Sequence, residues 1–177
     1  MKMIYFAAKK SSFAVVLHET MVVLAVSVII PFVVHGIPFP GNVPIGARFL
    51  PLFYAPFVAV VLFRPAVSIM SALAAPFLNQ LLTGSPGFEK GIVLTFELVL
   101  FTLLALILSG EKRTCLGAAV LAYIMSKGAS VLLLWKALLM VPGISVEAYF
   151  LRSMYTAFPG IVILFLINMY LNAIKDR

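Results

Sequence analysis

The stretch FAVVLHETMVVLAVSVIIPFVV, residues Phe13–Val34, decides the class of this protein. A helix needs about 20 mostly apolar residues to cross the hydrocarbon core of a bilayer, and this run is long enough. It is too long for the apolar core of a secretion signal, and no small-residue A-x-A site follows it. The run therefore predicts an uncleaved first membrane helix, with a kink at Pro31.

The rest of the chain is similarly apolar. Its 177 residues are 63% hydrophobic and 11% charged, with a mean hydropathy of +1.15. A chain with so few charged residues cannot cover its own surface, so its solvent is mostly lipid. Backbone polar groups in lipid must be paired internally, which favours an all-α bundle. We predict a single domain, 1–177, of six transmembrane helices at about 13–35, 49–63, 66–82, 92–109, 115–140 and 153–173.

The basic residues predict the orientation, because lysine and arginine concentrate in the cytoplasmic loops of membrane proteins. With the N-terminus inside, eight of them lie on the inner side, namely Lys2, Lys9, Lys10, Arg64, Lys112, Arg113, Lys175 and Arg177. The outer connections hold three, namely Arg48, Lys90 and Arg152. Both termini are therefore predicted to be cytoplasmic. The net charge of +7 then reflects orientation and contact with anionic lipid, and not nucleic-acid binding.

The sequence contains no motif for catalysis or metal binding. Cys115 is the lone cysteine, and no Cys/His cluster has metal-ligand spacing. There is no G-x-x-x-x-G-K-[ST] phosphate loop, and the pair His18-Glu19 lacks the second histidine of a zinc protease. We therefore predict a protein that is not an enzyme and has no catalytic residues, metal or cofactor. Energy for any uphill transport would come from a partner or an ion gradient.

Two charged residues fall inside predicted helices, where charge is costly. Glu97 is predicted about 8 Å below the outer surface and Lys127 about 18 Å above the inner one, so the two share a similar depth. Ser130 follows Lys127 by three residues and lies on the same side of the helix. Two interpretations stay open. The charges form an ion pair that only fixes packing, or they face a polar pocket open to the outside.

An amide pair, Asn79-Gln80, lies near the end of the third predicted helix, ahead of the turn at Thr83-Gly84. An amide offers a donor and an acceptor, which suits the edge of a heterocycle. The alternative is a hydrogen bond between helices. Adjacent helical residues point about 100° apart, so we expect one amide, Asn79, to face the interior. Tyr155 lies among aromatic residues near the outer interface and is a candidate wall of the same site.

Three stretches in the first part of the chain, FLPLFYAPF (49–57), APFLNQLLTGSP (75–86) and FEL (96–98), resemble the substrate-binding S components of energy-coupling factor (ECF) transporters. Members often show a Leu-Pro start to helix 2, a late proline in helix 3, a Leu-Thr-Gly-x-Pro loop and a Glu-Leu in helix 4. The resemblance covers about 31–98. The family's Ala-x-x-x-Ala docking pattern is not clear in the first helix, so the small pairs Ser68/Ala72 and Ser71/Ala75 are alternative candidates for docking.

The resemblance implies an S component in a bacterial or archaeal plasma membrane, which captures a vitamin or related heterocyclic micronutrient from outside. It implies an outer-half pocket under the loop 36–48. It also implies ATP-driven uptake with a shared ECF transmembrane subunit and two cytoplasmic ATPases, toward which the S component topples. The substrate-binding candidates are Arg48, Asn79, Gln80, Thr83, Glu97, Lys127, Ser130 and Tyr155.

The chemistry of the solute follows from the candidate side chains. Glu97 and Asn79 suit a nitrogen heterocycle such as a modified-purine precursor or a vitamin ring. Lys127 suits a carboxylate such as that of pantothenate, and Arg48 and Arg152 suit an anionic solute at the outer rim. We favour the nitrogen heterocycle.

Other functions also fit a small six-helix protein. An MreD-like scaffold without transport activity needs no pocket, so Glu97, Asn79 and Lys127 would pair with one another. An independent secondary carrier would use Glu97 for proton coupling. An intramembrane enzyme is the remaining alternative.

Overall fold

The computed structural model describes residues 12–36, 44–84, 87–109, 117–136 and 145–175. Within those ranges the chain forms the helices α1 (Phe13–His35), α2 (Ile45–Phe49), α3 (Pro51–Leu62), α4 (Pro65–Thr83), α5 (Phe88–Leu108), α6 (Ala118–Lys136) and α7 (Val146–Lys175). In the described part of the chain, six helical spans are long and apolar enough to cross a membrane, with α2 and α3 together forming one of them. The predicted all-α, six-span membrane fold is confirmed, and the cytoplasmic location of the termini stays a prediction. Residues 37–43 of the predicted cap loop, Cys115 and most of the basic residues behind the orientation lie outside the described residues.

The helices alternate in direction, so each end of the bundle collects one set of helix ends. We name the upper end as the one where α1, α4 and α6 end and α2, α5 and α7 begin; the other is the lower end. At the upper end a Cβ on Gly46 would lie 3.0 Å from the His35 ring, so α1 and α2 are in contact there. Toward the lower end Arg64 Nε lies 3.8 Å from the Glu19 carboxylate. The charge bias predicts that the upper end faces outside.

Helices α5 and α7 begin earlier than predicted, at Phe88 instead of about 92 and at Val146 instead of about 153. At α7 the hydroxyl of Ser145 accepts a hydrogen bond from the backbone N–H three residues on, at 3.2 Å, and so caps the first turn. At α5 the first turn carries Glu89, whose carboxylate interacts favourably with the helix dipole. Glu97 therefore lies about one turn further along its helix than the sequence predicts.

The second span is broken at Leu50, which adopts a left-handed backbone conformation (φ 51°, ψ 41°). Pro51 causes the break, because proline disfavours the right-handed helical region for the residue before it and has no N–H to continue α2. Pro51 instead begins α3, at a position that proline favours. The Tyr54 hydroxyl donates a hydrogen bond to the Phe49 carbonyl, and Gly160 of α7 packs against the same carbonyl. Backbone exposed by a break within a membrane needs such partners.

Helix α3 lies at the centre of the bundle, in contact with α1, α4, α5 and α7. Its residues 51–57 are all buried, as expected of a helix that is apolar on every side. The ring of Phe53 packs edge-on against the rings of Phe101 and Tyr123, at centroid distances of 5.1 and 5.2 Å. These aromatic contacts join α3 to α5 and α6 one turn below the charged residues of those two helices, Glu97 and Lys127.

The small residues of α4 are used inside the bundle. Ser68, Ser71, Ala72 and Ala75 are all fully buried, and α4 packs against α1 and α5. Small side chains at this spacing let helix backbones approach closely. The four residues therefore serve internal packing and do not form the exposed docking surface for which they were candidates.

Candidate functional site

The charged residues of α5 and α6 meet inside the bundle. Glu97 is 2% exposed, and its Oε2 atom lies 3.0 Å from Lys127 Nζ and 3.2 Å from Ser130 Oγ. The Ser130 hydroxyl also lies 2.9 Å from the Lys127 carbonyl, so its single proton can serve either acceptor. The side chain of Lys127 keeps 22% of its surface exposed, against 3% for Glu97. Three predicted site residues therefore form one polar cluster, which we call the Glu97 cluster (Glu97, Lys127 and Ser130).

The Glu97 cluster lies near the middle of the membrane. Glu97 is nine residues after the start of α5, and Lys127 is nine residues before Lys136, the last residue of α6. At 1.5 Å per residue each is about 14 Å from the upper end, in a hydrocarbon layer about 30 Å thick. The similar depth of the two charges is confirmed. The depth of about 8 Å predicted for Glu97 is too small, because α5 begins earlier than expected.

The Glu97 cluster can serve either as a structural ion pair or as a binding site for a polar solute. The low dielectric of a membrane interior strengthens the attraction between carboxylate and ammonium and makes either charge costly alone. A permanent pair would fix α5 against α6. The same groups can also exchange partners. A solute N–H can donate to Glu97 in place of the Lys127 ammonium, while an acceptor atom of the solute accepts a hydrogen bond from that ammonium. Within the part of the chain that the structure describes, no three His, Cys, Asp or Glu side chains lie close enough to share a metal ion.

The amide pair of α4 lies nearer the upper end. Asn79 is 2% exposed and points into the bundle, whereas Gln80 is half-buried against α5. A Cβ on Gly91 would lie 3.2 Å from the Gln80 side-chain oxygen, which places that amide beside the first turn of α5. The Thr83 hydroxyl donates to the Asn79 carbonyl at 2.7 Å and so serves the end of its own helix. Asn79 is therefore the interior member of the pair, about one and a half turns above the depth of Glu97.

The contact between Gln80 and α5 predicts the effect of Gly91→Ala. The added methyl group meets only the end of a flexible side chain, which can move, and alanine favours helix over glycine by up to about 1 kcal/mol. The apparent Tm in mild detergent is therefore expected to stay close to that of the wild type, or to rise when Gln80→Ala is also present. A large fall in Tm would show that Gln80 is held rigidly by its partners.

A cavity of about 410 Å³ lies between α2 and α7 near the upper end. It is lined by Arg48, Arg152, Tyr155, Thr156, Phe158 and Pro159. Its volume falls within the range of about 300–1,000 Å³ typical of small-molecule sites. Two predicted site residues, Arg48 and Tyr155, share this cavity with Arg152, the other predicted rim residue. None of the three residues of the Glu97 cluster is among its lining.

The predicted site residues thus form three groups: the Glu97 cluster, the α4 amides with Thr83, and the cavity residues Arg48 and Tyr155. Thr156, Phe158 and Pro159 were not predicted as site residues, because they carry no distinctive chemistry of their own. Gly160 was not predicted either, and its close contact with the Phe49 backbone joins α7 to the broken second span. The Pro-Gly pair at 159–160 inside an apolar helix is the one signal that points to this contact.

Comparisons of the chain with protein-family models, with curated proteins and with solved structures gave no match. A function for this chain is therefore inferred from its own residues.

Proposed function

We propose that this chain is the substrate-binding S component of an ECF-type importer, which captures a vitamin or a related heterocyclic micronutrient from outside the cell. The observation that carries the proposal is the Glu97 cluster, a carboxylate, an ammonium and a hydroxyl that meet at mid-membrane depth. Ionisable groups at that depth are rare and commonly mark the path or the site of a solute. The six-span fold and the resemblance of 31–98 to S components support the same function.

The mechanism proposed for capture is an exchange of partners. Without solute, Glu97 and Lys127 neutralise each other, so neither charge is left alone in a low dielectric. A heterocycle that carries an N–H next to a ring acceptor offers a donor to Glu97 and an acceptor to Lys127. The buried Asn79 lies between the upper end and the Glu97 cluster, so its amide can form a hydrogen bond with a solute on its path to the cluster. The polar groups then keep partners in both states, which keeps the cost of exchange small.

Transport requires partners that the chain does not contain. An S component associates with a shared ECF transmembrane subunit and two cytoplasmic ATPases, and it topples to present the solute to the cytoplasm. In this proposal the protein lies in a bacterial or archaeal plasma membrane, and the ATPases supply the energy. Toppling requires the helix bundle to move as one rigid body. The ion pair of the Glu97 cluster supports this rigidity, because it links α5 to α6.

A second candidate function is an MreD-like scaffold, and the Glu97–Lys127 contact of 3.0 Å is the observation that favours it. A scaffold needs polar groups inside the bundle only to fix its packing, and a satisfied ion pair does that. The two functions differ in one respect, because a scaffold gains nothing from exchanging the pair for a solute.

The test is to heat the purified full-length protein in mild detergent with a panel of vitamins and nucleobase precursors. A true ligand raises the apparent Tm by mass action, with about 2.7 kcal/mol of stabilisation at 100 times its Kd. Glu97→Gln is expected to reduce the shift sharply, since the carboxylate no longer accepts the solute N–H as a charged partner. Glu19→Gln makes the same change in α1, next to Arg64 and away from the cluster, and it should keep the full shift.

Two outcomes would oppose the transport proposal. One is a broad panel in which no compound raises the Tm. The other is a ligand whose shift survives Glu97→Gln unchanged, because that ligand would bind elsewhere.

A further inference from the structure

The cavity between α2 and α7 has a positively charged lining. Two arginines, Arg48 and Arg152, line it, and none of its lining residues within the described part of the chain is acidic. Arg48 also interacts with other groups of the protein, and a guanidinium with five N–H donors can serve several acceptors together. Two arginines around one cavity favour an anion, and carboxylate and phosphate are the groups that the planar guanidinium donors match.

Along α7 the lining changes from charged to apolar with depth. Helix α7 has 30 residues, so it is about 45 Å long and spans a bilayer with its headgroups, which is about 40–45 Å thick. Arg152 is six residues after the start of α7, about 9 Å down, where headgroups meet hydrocarbon. Phe158 and Pro159 lie roughly 9–11 Å lower, at the depth of acyl chains. The cavity therefore offers one cation, Arg152, at phosphate depth and an apolar surface below it. Arg48 lies beside this lower part, because its neighbour Phe49 contacts Gly160.

The cavity also opens sideways. Tyr155 is 86% exposed and Phe158 is 63% exposed, so both rings lie on the outer surface of the bundle. In a membrane that surface faces lipid. A molecule that enters from this side can place its anionic group at the depth of Arg152, within reach of the long Arg48 side chain, and its apolar part along Phe158 and Pro159. These are the features of an anionic phospholipid.

We infer that Arg48 and Arg152 form a binding site for a phosphate group, supplied by an anionic membrane lipid whose acyl chain lies along Phe158 and Pro159. The site does not depend on the proposed transport function, because it shares no residue with the Glu97 cluster. Its test measures lipid binding and not uptake of a solute. A soluble phosphate monoester presents the same chemistry without the acyl chain, so the experiment separates the two sources.

The experiment measures the apparent Tm of the purified full-length protein in mild detergent, titrated with three probes. These are short-chain phosphatidylglycerol, phosphatidylcholine of the same chain length, and glycerol phosphate. Phosphatidylglycerol is expected to raise the Tm at lower concentration than phosphatidylcholine. Arg152→Gln should weaken the apparent affinity for phosphatidylglycerol by about tenfold or more, as expected for the loss of a hydrogen-bonded charge.

Lys136→Gln is the matched control, because it removes an exposed cation at the same end of the bundle, on α6 and outside the cavity lining. It should leave the affinity unchanged. Arg152 is exposed, so its replacement should not prevent folding, whereas Arg48 is half-buried and serves only as a second variant. If glycerol phosphate matches phosphatidylglycerol and Arg152→Gln weakens both, the site binds phosphate from solution. Equal effects of the two lipids, no effect of any probe, or equal effects of the two variants would overturn the inference.

Discussion

Gly160→Ala is expected to destabilise the protein strongly, unlike Gly91→Ala. A Cβ at this position would lie 2.7 Å from Leu50 Cγ, 2.7 Å from the Phe49 carbonyl carbon and 2.8 Å from its oxygen. Two of these atoms are backbone, and the Phe49 carbonyl also accepts the Tyr54 hydroxyl, so the group cannot simply turn away. Overpacking of this kind costs about 1–3 kcal/mol, and the apparent Tm should fall accordingly.

Gly128→Ala is the matched control for Gly160→Ala. It adds the same methyl group inside α6, but that Cβ meets only the Phe150 ring at 3.9 Å, an ordinary van der Waals distance. Since alanine favours helix over glycine, Gly128→Ala should not lower the Tm. If both variants unfolded at the wild-type temperature, α7 would not be packed against the break at Leu50 as described.

Lys127→Met is expected to destabilise the protein at least as much as Gly160→Ala. It removes the ammonium 3.0 Å from Glu97 and leaves a carboxylate whose side chain is 3% exposed, with Ser130 beside it. Removing one partner of a buried ion pair costs roughly 3–5 kcal/mol, so the free energy of unfolding should fall by about 3 kcal/mol. Glu97→Gln should cost less, because the Lys127 side chain is 22% exposed and its ammonium can turn toward a more polar environment.

The double variant Glu97→Gln/Lys127→Met separates the pair from its surroundings. With both charges gone, no uncompensated charge is left in the bundle, and the double variant should be more stable than Lys127→Met alone. Unfolding in a denaturing detergent titration measures all four proteins. Additive losses would mean that Glu97 and Lys127 do not interact, in contradiction to the described contact.

The fold was predictable because membrane burial imposes simple rules on the sequence. Six apolar segments of spanning length, with proline and glycine between them, are enough to predict the number of spans. The break at Leu50 lies at the Leu-Pro start expected for the second helix, at about 49. Its exact form depends on two long-range partners, Tyr54 and Gly160, which local sequence patterns do not reveal. The start of α7 depends on a serine cap that resembles many other loop serines.

The part of the candidate site that was predictable from the sequence is the charged pair inside the membrane. Glu97 and Lys127 are conspicuous in apolar helices, and helix geometry places them at a similar depth. Their partnership with Ser130 follows from the three-residue spacing along α6. The cavity between α2 and α7 was only partly predictable, since the chain brings Arg48 and Arg152 together across about a hundred residues of sequence. Such a contact is set by packing of whole helices and not by a motif.

Transport into membrane vesicles that contain the chain with its native partners tests most directly whether the chain captures a solute for ATP-driven uptake. The measurement is accumulation of the ligand found by thermal shift, with and without ATP on the cytoplasmic side, and with ion gradients collapsed by ionophores. Accumulation is expected to require ATP, to persist without ion gradients and to fall sharply in Glu97→Gln but not in Glu19→Gln. Accumulation that needs an ion gradient and no ATP would indicate an independent carrier, and no accumulation at all would favour a scaffold; either result would contradict the function of an S component.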